Sequence, residues 1–142
     1  TIQRQELFDW SKEEDEQIRY YSGTAVYKTT FRWKSKVKED QQVYLNLGKV
    51  CDLATVRVNG IDCGTIWTAP YRADITAALK KGVNELEIEV TNTWANALKG
   101  ADEGKAPFDG IWTNAKYRRA ENTLLPAGLL GPLNFDVANK NK

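Results

Sequence analysis

The amino-acid sequence predicts an all-β fold, an antiparallel β-sandwich, and two observations support that prediction. Roughly seven short segments alternate apolar with polar residues, which is the period of a half-buried strand. Turn residues separate these segments, and the pattern contains at most one helical turn. At 142 residues the chain is long enough for one domain with its own core.

Each predicted strand presents one apolar face to the core. Glu85, Glu87 and Glu89 alternate with one of the apolar series, so we expect these three carboxylates on a solvated face. The expected core residues are Tyr27, Phe31 and Trp33 in the first strand, Val43, Leu45 and Leu47 in the second, Ala54, Val56 and Val58 in the third, Leu86, Ile88 and Val90 in a later strand, and Leu133, Phe135 and Val137 in the last.

Asn59 and Gly60 predict a two-residue hairpin turn, because Asn-Gly is the typical pair of a type I′ turn. The turn places Cys63 opposite Val56, and Cys51 lies five residues further along the strand of Val56. At the rise of a strand, the two cysteine Cα atoms are then roughly 16 Å apart, which no disulfide spans. We therefore expect two free thiols.

The chain divides into three predicted parts. Residues 1–19 form a polar N-terminal arm that packs on the sandwich, residues 20–138 form the sandwich, and residues 139–142 form a frayed tail. After Trp94 the periodicity stops for about thirty residues, which predicts a long loop. Its aromatic residues favour a functional segment over a disordered one.

Composition excludes several classes of function. The chain has no His, which excludes Ser-His-Asp and Cys-His catalytic sites and zinc sites that need imidazole. With 20 Lys and Arg against 19 Asp and Glu, the net charge of +1 gives no electrostatic reason to expect a nucleic-acid partner. No apolar run is long enough to span a membrane, and no signal peptide is visible. Because the chain has no Met, we expect a segment of a longer protein.

Four segments, taken together, resemble a known family. They are YYSGTAVYKTTF from Tyr20, VYLNLGKVCDLATVRVNGIDCGTIWTAPYRADIT from Val43, LKKGVNELEIEVTNTWAN from Leu79 and LLPAGLLGP from Leu124. In order and spacing they resemble the galactose-binding-like jelly-roll domain of family 2-type glycoside hydrolases. They are most similar to the β-sandwich near the C-terminus of Bacteroidetes enzymes of the α-L-rhamnosidase kind. The resemblance covers about residues 20–133. It implies a jelly roll, a secreted or periplasmic location and an accessory role beside the catalytic domain of a parent hydrolase.

Sugar recognition needs a flat aromatic face for the C–H side of a pyranose, with amide, carboxylate or guanidinium groups beside it for the hydroxyls. Two segments, one around Trp67 and one around Trp94, supply this mixture. Because the loops of a sandwich cluster at its ends, we expect both segments and Trp112 to share one surface. The candidate ligand-binding residues are Trp67, Tyr71, Arg72, Asn92, Trp94, Asn96, Trp112 and Arg118.

Structural roles compete with sugar binding at several of these positions. Trp67 continues an alternating inward series that begins at Ile61, which favours a core position. Asn92 continues the core-side series of its strand, so its amide is also a candidate partner for loop backbone groups. Arg118 is followed by another arginine, a pattern typical of a solvated pair.

Two functions remain open at this point. The first is a non-catalytic accessory carbohydrate-binding domain of an extracytoplasmic glycoside hydrolase. The second is a structural docking domain that supports a neighbouring catalytic module without binding sugar, because the loop aromatics also suit a protein contact. We expect no catalysis by the chain itself, since the row of glutamates lacks the apolar surroundings of a catalytic acid.

We predict no cofactor and no metal ligand. Sandwiches of this type often hold a structural calcium ion through carboxylates and backbone carbonyls. The only local acidic group, Asp102, Glu103 and Asp109, lacks the spacing of a calcium-binding loop.

Overall fold

The computed structural model describes residues 1–105 and 123–140 of the chain. A 3-10 turn, Trp10–Lys12, and helix α1, Glu16–Arg19, precede the first strand, and helix α2, Ala95–Asp102, follows the seventh. The strands of the described part are β1 Thr24–Trp33, β2 Gln41–Asn46, β3 Lys49–Cys51, β4 Leu53–Val58, β5 Ile61–Ile66, β6 Arg72–Asp74, β7 Gly82–Thr91, β8 Gly128–Gly131 and β9 Asn134–Asn139.

The strands form the predicted antiparallel β-sandwich. One sheet has the order β1-β7-β4-β5, a second has the order β6-β2-β9, and β3 pairs with β8. The apolar faces of β2, β4 and β7 meet in the core, as the alternation of each strand predicts. The buried apolar residues of these three strands are Val43, Leu45, Ala54, Val56, Val58, Leu86, Ile88 and Val90, each at most 4% exposed.

The inward side chains of β1 are only partly buried, because β1 is an edge strand. Near its end they meet the second sheet through aromatic contacts. The ring of Phe135 in β9 lies 4.9 Å from the ring of Phe31 and 5.4 Å from that of Trp33. These contacts join the open edges of the two sheets at the end where β1 finishes.

The N-terminal segment is attached to the sandwich around Trp10. Its backbone N–H donates to the carbonyl of Ala127 at 3.0 Å, and its indole N–H donates to the hydroxyl of Tyr27 at 2.7 Å. The carboxylate of Asp9 accepts the N–H of Ala127 at 3.0 Å. Asp9 and Trp10 are both buried, so this polar contact is sealed from solvent.

The hairpin of β4 and β5 forms as predicted, with Val58 opposite Ile61, but its register changes further on. Two residues of β5, Cys63 and Gly64, lie opposite the single residue Val56 of β4. Gly64 has a φ of +107°, a value that favours glycine and marks a β-bulge. The extra residue reverses the faces that all later side chains of β5 occupy.

Two further expectations need correction. The stretch after Trp94 is not wholly a loop, because helix α2 occupies Ala95–Asp102. The buried residues of this helix are Asn96, Ala97 and Gly100, which give little hydrophobic signal in the sequence. The last strand also runs further than expected, since Asn139 pairs with Gln41 where the frayed tail was expected to begin.

The two cysteines are free thiols in the structure, as the hairpin geometry predicts. Cys51 is buried at the end of β3, and Cys63 is partly exposed in the bulge. Burial raises the pKa of both thiols, so both favour the neutral form.

Candidate functional site

One end of the four-stranded sheet brings the two predicted sugar-binding segments together. In the paired strands, Ala54 of β4 lies opposite Ile66 of β5 and opposite Val90 of β7. The residues just after β5, just before β4 and just after β7 therefore lie side by side at this end. At a spacing of about 4.8 Å between strands, the segments that follow Ile66 and Val90 are roughly 10 Å apart.

Trp67 is exposed at this end, so the core position that the alternation favoured is wrong. Its side chain is 73% exposed. The reason is the bulge at Cys63 and Gly64, which moves every later side chain of β5 to the opposite face. Ile66 packs against the core instead.

Trp94 is the second exposed tryptophan of this end, at 63%. It immediately precedes α2, and its carbonyl accepts the N–H of Leu98 at 3.0 Å, so its backbone is held by the first turn of the helix. A tryptophan this exposed contributes little to the core. The position of its backbone is nevertheless fixed.

Asp52 connects the two segments. Its carboxylate accepts the N–H of Thr93 at 3.1 Å, and its carbonyl accepts the hydroxyl of Tyr71 at 3.4 Å. Its own N–H donates to the carbonyl of Thr91 at 3.0 Å. We call Asp52, Trp67, Tyr71, Thr93 and Trp94 the sheet-end surface.

Sequence reasoning did not single out Asp52, and little in the sequence marks it. A lone aspartate between two short strands resembles any turn residue. Its importance comes from the pairing of β4 with β5 and β7, which places it between segments that are distant in sequence. Only the register of three strands reveals that placement.

Two of the predicted ligand-binding residues are structural. The buried amide of Asn92 accepts the N–H of Gly23 and donates to the carbonyl of Tyr21, each at 2.8 Å, which confirms its alternative role with loop backbone. The buried amide of Asn96 donates to the carbonyl of Leu125 at 2.8 Å and accepts its N–H at 2.7 Å. Burial and these backbone bonds favour a structural role for both amides, and their assignment to ligand binding stays a prediction.

Arg72 belongs to a different surface from its neighbour Tyr71. Its guanidinium lies over the ring of Tyr44, 4.1 Å from the ring centroid, on the outer face of the β6-β2-β9 sheet. Tyr71 packs against the core cluster on the other side. Successive side chains of an extended segment point to opposite faces, which separates Arg72 from the sheet-end surface. The remaining candidates, Trp112 and Arg118, lie outside the described residues.

The row of glutamates on β7 lies on the solvated face, as predicted. Glu87 pairs with Lys28 at 3.3 Å and with Arg57 at 3.2 Å, and Glu89 pairs with Arg57 at 3.0 Å. The hydrogen bond and charge of Glu89 raise the pKa of Arg57. This arrangement is a cross-strand ion-pair network.

No group of three or more metal-ligating side chains occurs within residues 1–105 and 123–140. Of the acidic residues weighed for calcium, Glu103 accepts the hydroxyl of Tyr20 at 3.3 Å and pairs with Lys99 and Lys105. Asp109 lies outside the described residues. The longest described helix, α2, has eight residues, and the described helices include none that could cross a membrane.

The sheet-end surface presents apolar stacking faces and a hydrogen-bond acceptor. Two exposed indoles supply flat apolar faces, and pyranose C–H groups pack well on such faces. The second carboxylate oxygen of Asp52 has no hydrogen-bond partner among the residues that the structure describes, so it can accept a ligand hydroxyl.

Comparisons with known proteins agree with this architecture. Residues 5–123 match the family model described as "Glycosyl hydrolase 2 galactose-binding domain-like". A protein of Formosa agariphila that bears the name "Putative beta-glucuronidase" is 40% identical over 157 residues and covers 93% of this chain. The rhamnosidase from Novosphingobium sp. PP1Y is 44% identical over a superposition that covers 91% of this chain, with a TM-score of 0.81. A beta-glucuronidase from Ruminococcus gnavus is 26% identical, covers 58% of this chain and has a TM-score of 0.51.

The chain spans only a small part of each of these proteins. It covers 13% of the Formosa agariphila protein, 12% of the rhamnosidase chain and 14% of the Ruminococcus gnavus chain. The similarity therefore concerns one domain of much longer proteins.

Proposed function

Because the chain belongs to the family of galactose-binding-like domains of glycosyl hydrolase 2, we propose that it is a non-catalytic module that binds carbohydrate at the sheet-end surface. The observation that supports this most strongly is the presence of two largely exposed tryptophans, Trp67 and Trp94, beyond the ends of β5 and β7 at the same end of the sheet. Asp52 holds the backbone between them.

Exposed tryptophans support this proposal because tryptophan side chains are usually largely buried. Burial of apolar surface stabilises a protein by about 25 cal/mol per Å² of the surface that is removed from water. An indole that stays in water does not contribute this free energy. A sugar that covers either indole recovers part of that free energy without any change in the fold. Asp52 then accepts a hydroxyl, which orients the ring.

The experiment is calorimetric titration of the 142-residue chain with galactose, rhamnose and glucuronate, the last two suggested by the names of the similar enzymes. We expect a dissociation constant of about 0.1 to 10 mM for at least one of them, the range of a small exposed contact. Trp67→Ala and Trp94→Ala should each weaken that binding at least about fivefold, the loss of roughly 1 kcal/mol of stacking.

Trp67→Phe is the matched control, because phenylalanine keeps a flat aromatic face and should retain most of the affinity. Both alanine variants should keep the thermal midpoint within a few degrees of the wild type, since neither side chain is in the core. Absence of heat with all three sugars at tens of millimolar, or equal affinity of the alanine variants, would contradict the proposal.

A second candidate function, docking onto a neighbouring module, has one observation in its favour. Phe135 and Val137 are in register with the buried residues Leu45 and Val43, yet they are 37% and 52% exposed. Part of the inward face of β9 thus lies open to solvent, as a contact surface for another domain would. A chain that binds no sugar but associates with a separately produced catalytic module of its parent would support this function instead.

The wider biological setting is part of the same proposal. The names of the similar proteins support a parent glycoside hydrolase whose catalytic domain lies outside this chain. We also propose a secreted or periplasmic location for this parent enzyme. The test is cell fractionation with an antibody against this domain.

A further inference from the structure

The end of the sandwich opposite the sheet-end surface is rich in lysine. β1 ends at Trp33, which pairs with Gly82 at the start of β7, and β2 begins at Gln41, which pairs with Asn139 near the end of β9. The segments that flank these residues therefore meet at one end of the molecule. They carry six lysines, which we call the lysine pole: Lys34, Lys36, Lys38, Lys80, Lys81 and Lys140.

All six lysines are exposed, and none forms an ion pair with a carboxylate in the part of the chain that the structure describes. Within the same segments the carboxylates are Glu39 and Asp40. The segments that form the pole therefore have a net charge of +4. Acidic residues concentrate in the N-terminal segment at the other end, where positions 13–16 are Glu, Glu, Asp and Glu.

The net charge of the whole chain does not reveal that its basic and acidic residues are concentrated in different places. A net charge of +1 gives no reason to expect an anionic partner, but a charge of +4 on one end attracts anions at distances up to the Debye length, about 8 Å at physiological salt. The lysine pole therefore attracts only anions that come within about that distance of it.

Hydrogen bonds fix the backbone that carries the lysines. The buried amide of Asn84 accepts the N–H of Lys80 at 2.9 Å and donates to its carbonyl at 2.8 Å. Gln41 N–H donates to the carbonyl of Lys38 at 3.0 Å, and Lys140 N–H donates to the carbonyl of Asp40 at 2.7 Å. Three of the six lysines, Lys38, Lys80 and Lys140, are thus carried by hydrogen-bonded backbone.

We propose that the lysine pole is a second binding surface, which takes an anionic polysaccharide bearing carboxylate or sulfate groups. This proposal rests on the proposed function for the choice of a glycan as the partner. Lysine supplies a compact point charge with no bidentate geometry, which suits a flexible polyanion with many equivalent anionic groups. Protein interfaces instead favour arginine and aromatic residues and are depleted in lysine, and single-stranded nucleic acid favours aromatic stacking.

The experiment compares three polymers with one backbone: dextran, carboxymethyl-dextran and dextran sulfate. We expect the 142-residue chain to bind the carboxylated polymer, the sulfated polymer or both. We expect no binding of uncharged dextran at the lysine pole. Binding should weaken at least about tenfold between roughly 50 and 200 mM salt, because each lysine that contacts the polymer releases counterions.

The variant is Lys34→Gln, Lys36→Gln and Lys38→Gln combined, and its matched control is Lys12→Gln, Lys49→Gln and Lys105→Gln combined. Both triple variants remove the same net charge from exposed lysines, but only the first removes it from the pole. We expect about a tenfold loss of polyanion affinity in the first and less than about a twofold change in the control. Equal losses in the two variants, or no binding of either charged polymer, would overturn the proposal.

Two further arms separate the alternatives. Tighter binding to phosphatidylserine vesicles or to a single-stranded oligonucleotide than to both charged dextrans would overturn the choice of a glycan. Trp67→Ala should weaken binding of neutral sugar and leave polyanion binding unchanged, and the lysine variant should do the reverse. Failure of the sugar titration therefore remains distinguishable from failure at the pole.

Discussion

The indole N–H of Trp10 donates a 2.7 Å hydrogen bond to the hydroxyl of Tyr27, which also accepts the backbone N–H of Leu129 at 3.2 Å. One hydroxyl thus joins the N-terminal segment, β1 and β8. Tyr27→Phe removes the acceptor and leaves two donors without a partner, which should lower the free energy of unfolding by about 2 to 3 kcal/mol. Urea unfolding measures this loss. Tyr21→Phe is the control, because the hydroxyl of Tyr21 makes a single exposed hydrogen bond, to the carbonyl of Thr24. An equal loss in both variants would contradict the account.

Burial of Tyr27 also predicts a pH dependence. Desolvation raises the pKa of its phenol above the usual value of about 10, although the bonds from Leu129 and Trp10 oppose the shift. The folded state therefore keeps a proton that the unfolded state has lost, so the contribution of Tyr27 is complete below about pH 10 and declines as the pH rises further. The difference in stability between the wild type and Tyr27→Phe should shrink as the pH rises above about 10. A difference that stays constant over that range would refute this.

Substitution of the polar residue Asn84 should cause a large loss of stability. Its side chain is fully buried, accepts N–H groups from Lys80 and Asn59 and donates to the carbonyls of Lys80 and Gly82. Asn84→Ala leaves these buried groups without a hydrogen-bond partner. It should lower the free energy of unfolding by about 3 kcal/mol, measured by thermal or urea unfolding. Asn84→Asp keeps the acceptors but loses both donors, so it should be destabilised as well. A loss below about 1 kcal/mol in both variants would show that water replaces the amide.

Gly100 predicts an unusual response to alanine. Substitution of glycine by alanine inside a helix normally stabilises it by about 1 kcal/mol. A Cβ at Gly100, however, would lie 2.7 Å from ring carbons of Tyr20, so the substitution should instead cost about 1 to 3 kcal/mol through overpacking. Unfolding of Gly100→Ala measures the effect, and Gly100→Ala combined with Tyr20→Ala tests its cause. A stabilised single variant would show that α2 does not pack on Tyr20 as described.

Much of the fold could be predicted because strand alternation directly reports burial. The inward series of β2, β4 and β7 and the Asn59-Gly60 turn all agree with the structure, and the family resemblance is confirmed by the family match. Helix α2 could not be predicted, since its buried residues, Asn96, Ala97 and Gly100, form no large apolar stripe, and Gly100 packs closely against Tyr20. The helix is held by close packing of small groups, and the hydrophobic pattern of a sequence does not report such packing.

The candidate site was less predictable for a different reason. A single inserted residue at Gly64 decides whether Trp67 faces the core or the solvent, and alternation alone missed it. A glycine inside a strand is the signal that could have indicated the bulge. The buried roles of Asn92 and Asn96 depend on partners such as Tyr21 and Leu125, whose proximity only the fold establishes.

The most direct test of the central claim is to observe the tryptophan indoles during a sugar titration. The chain has five tryptophans, so a nitrogen-15 NMR spectrum of the indole N–H groups is simple enough to assign by single substitutions. Titration with galactose, rhamnose or glucuronate should shift the signals of Trp67 and Trp94 in a saturable way and leave that of buried Trp10 in place. Signals of Trp67 and Trp94 that stay fixed with all three sugars at tens of millimolar would contradict the assignment of the sheet-end surface as a carbohydrate site.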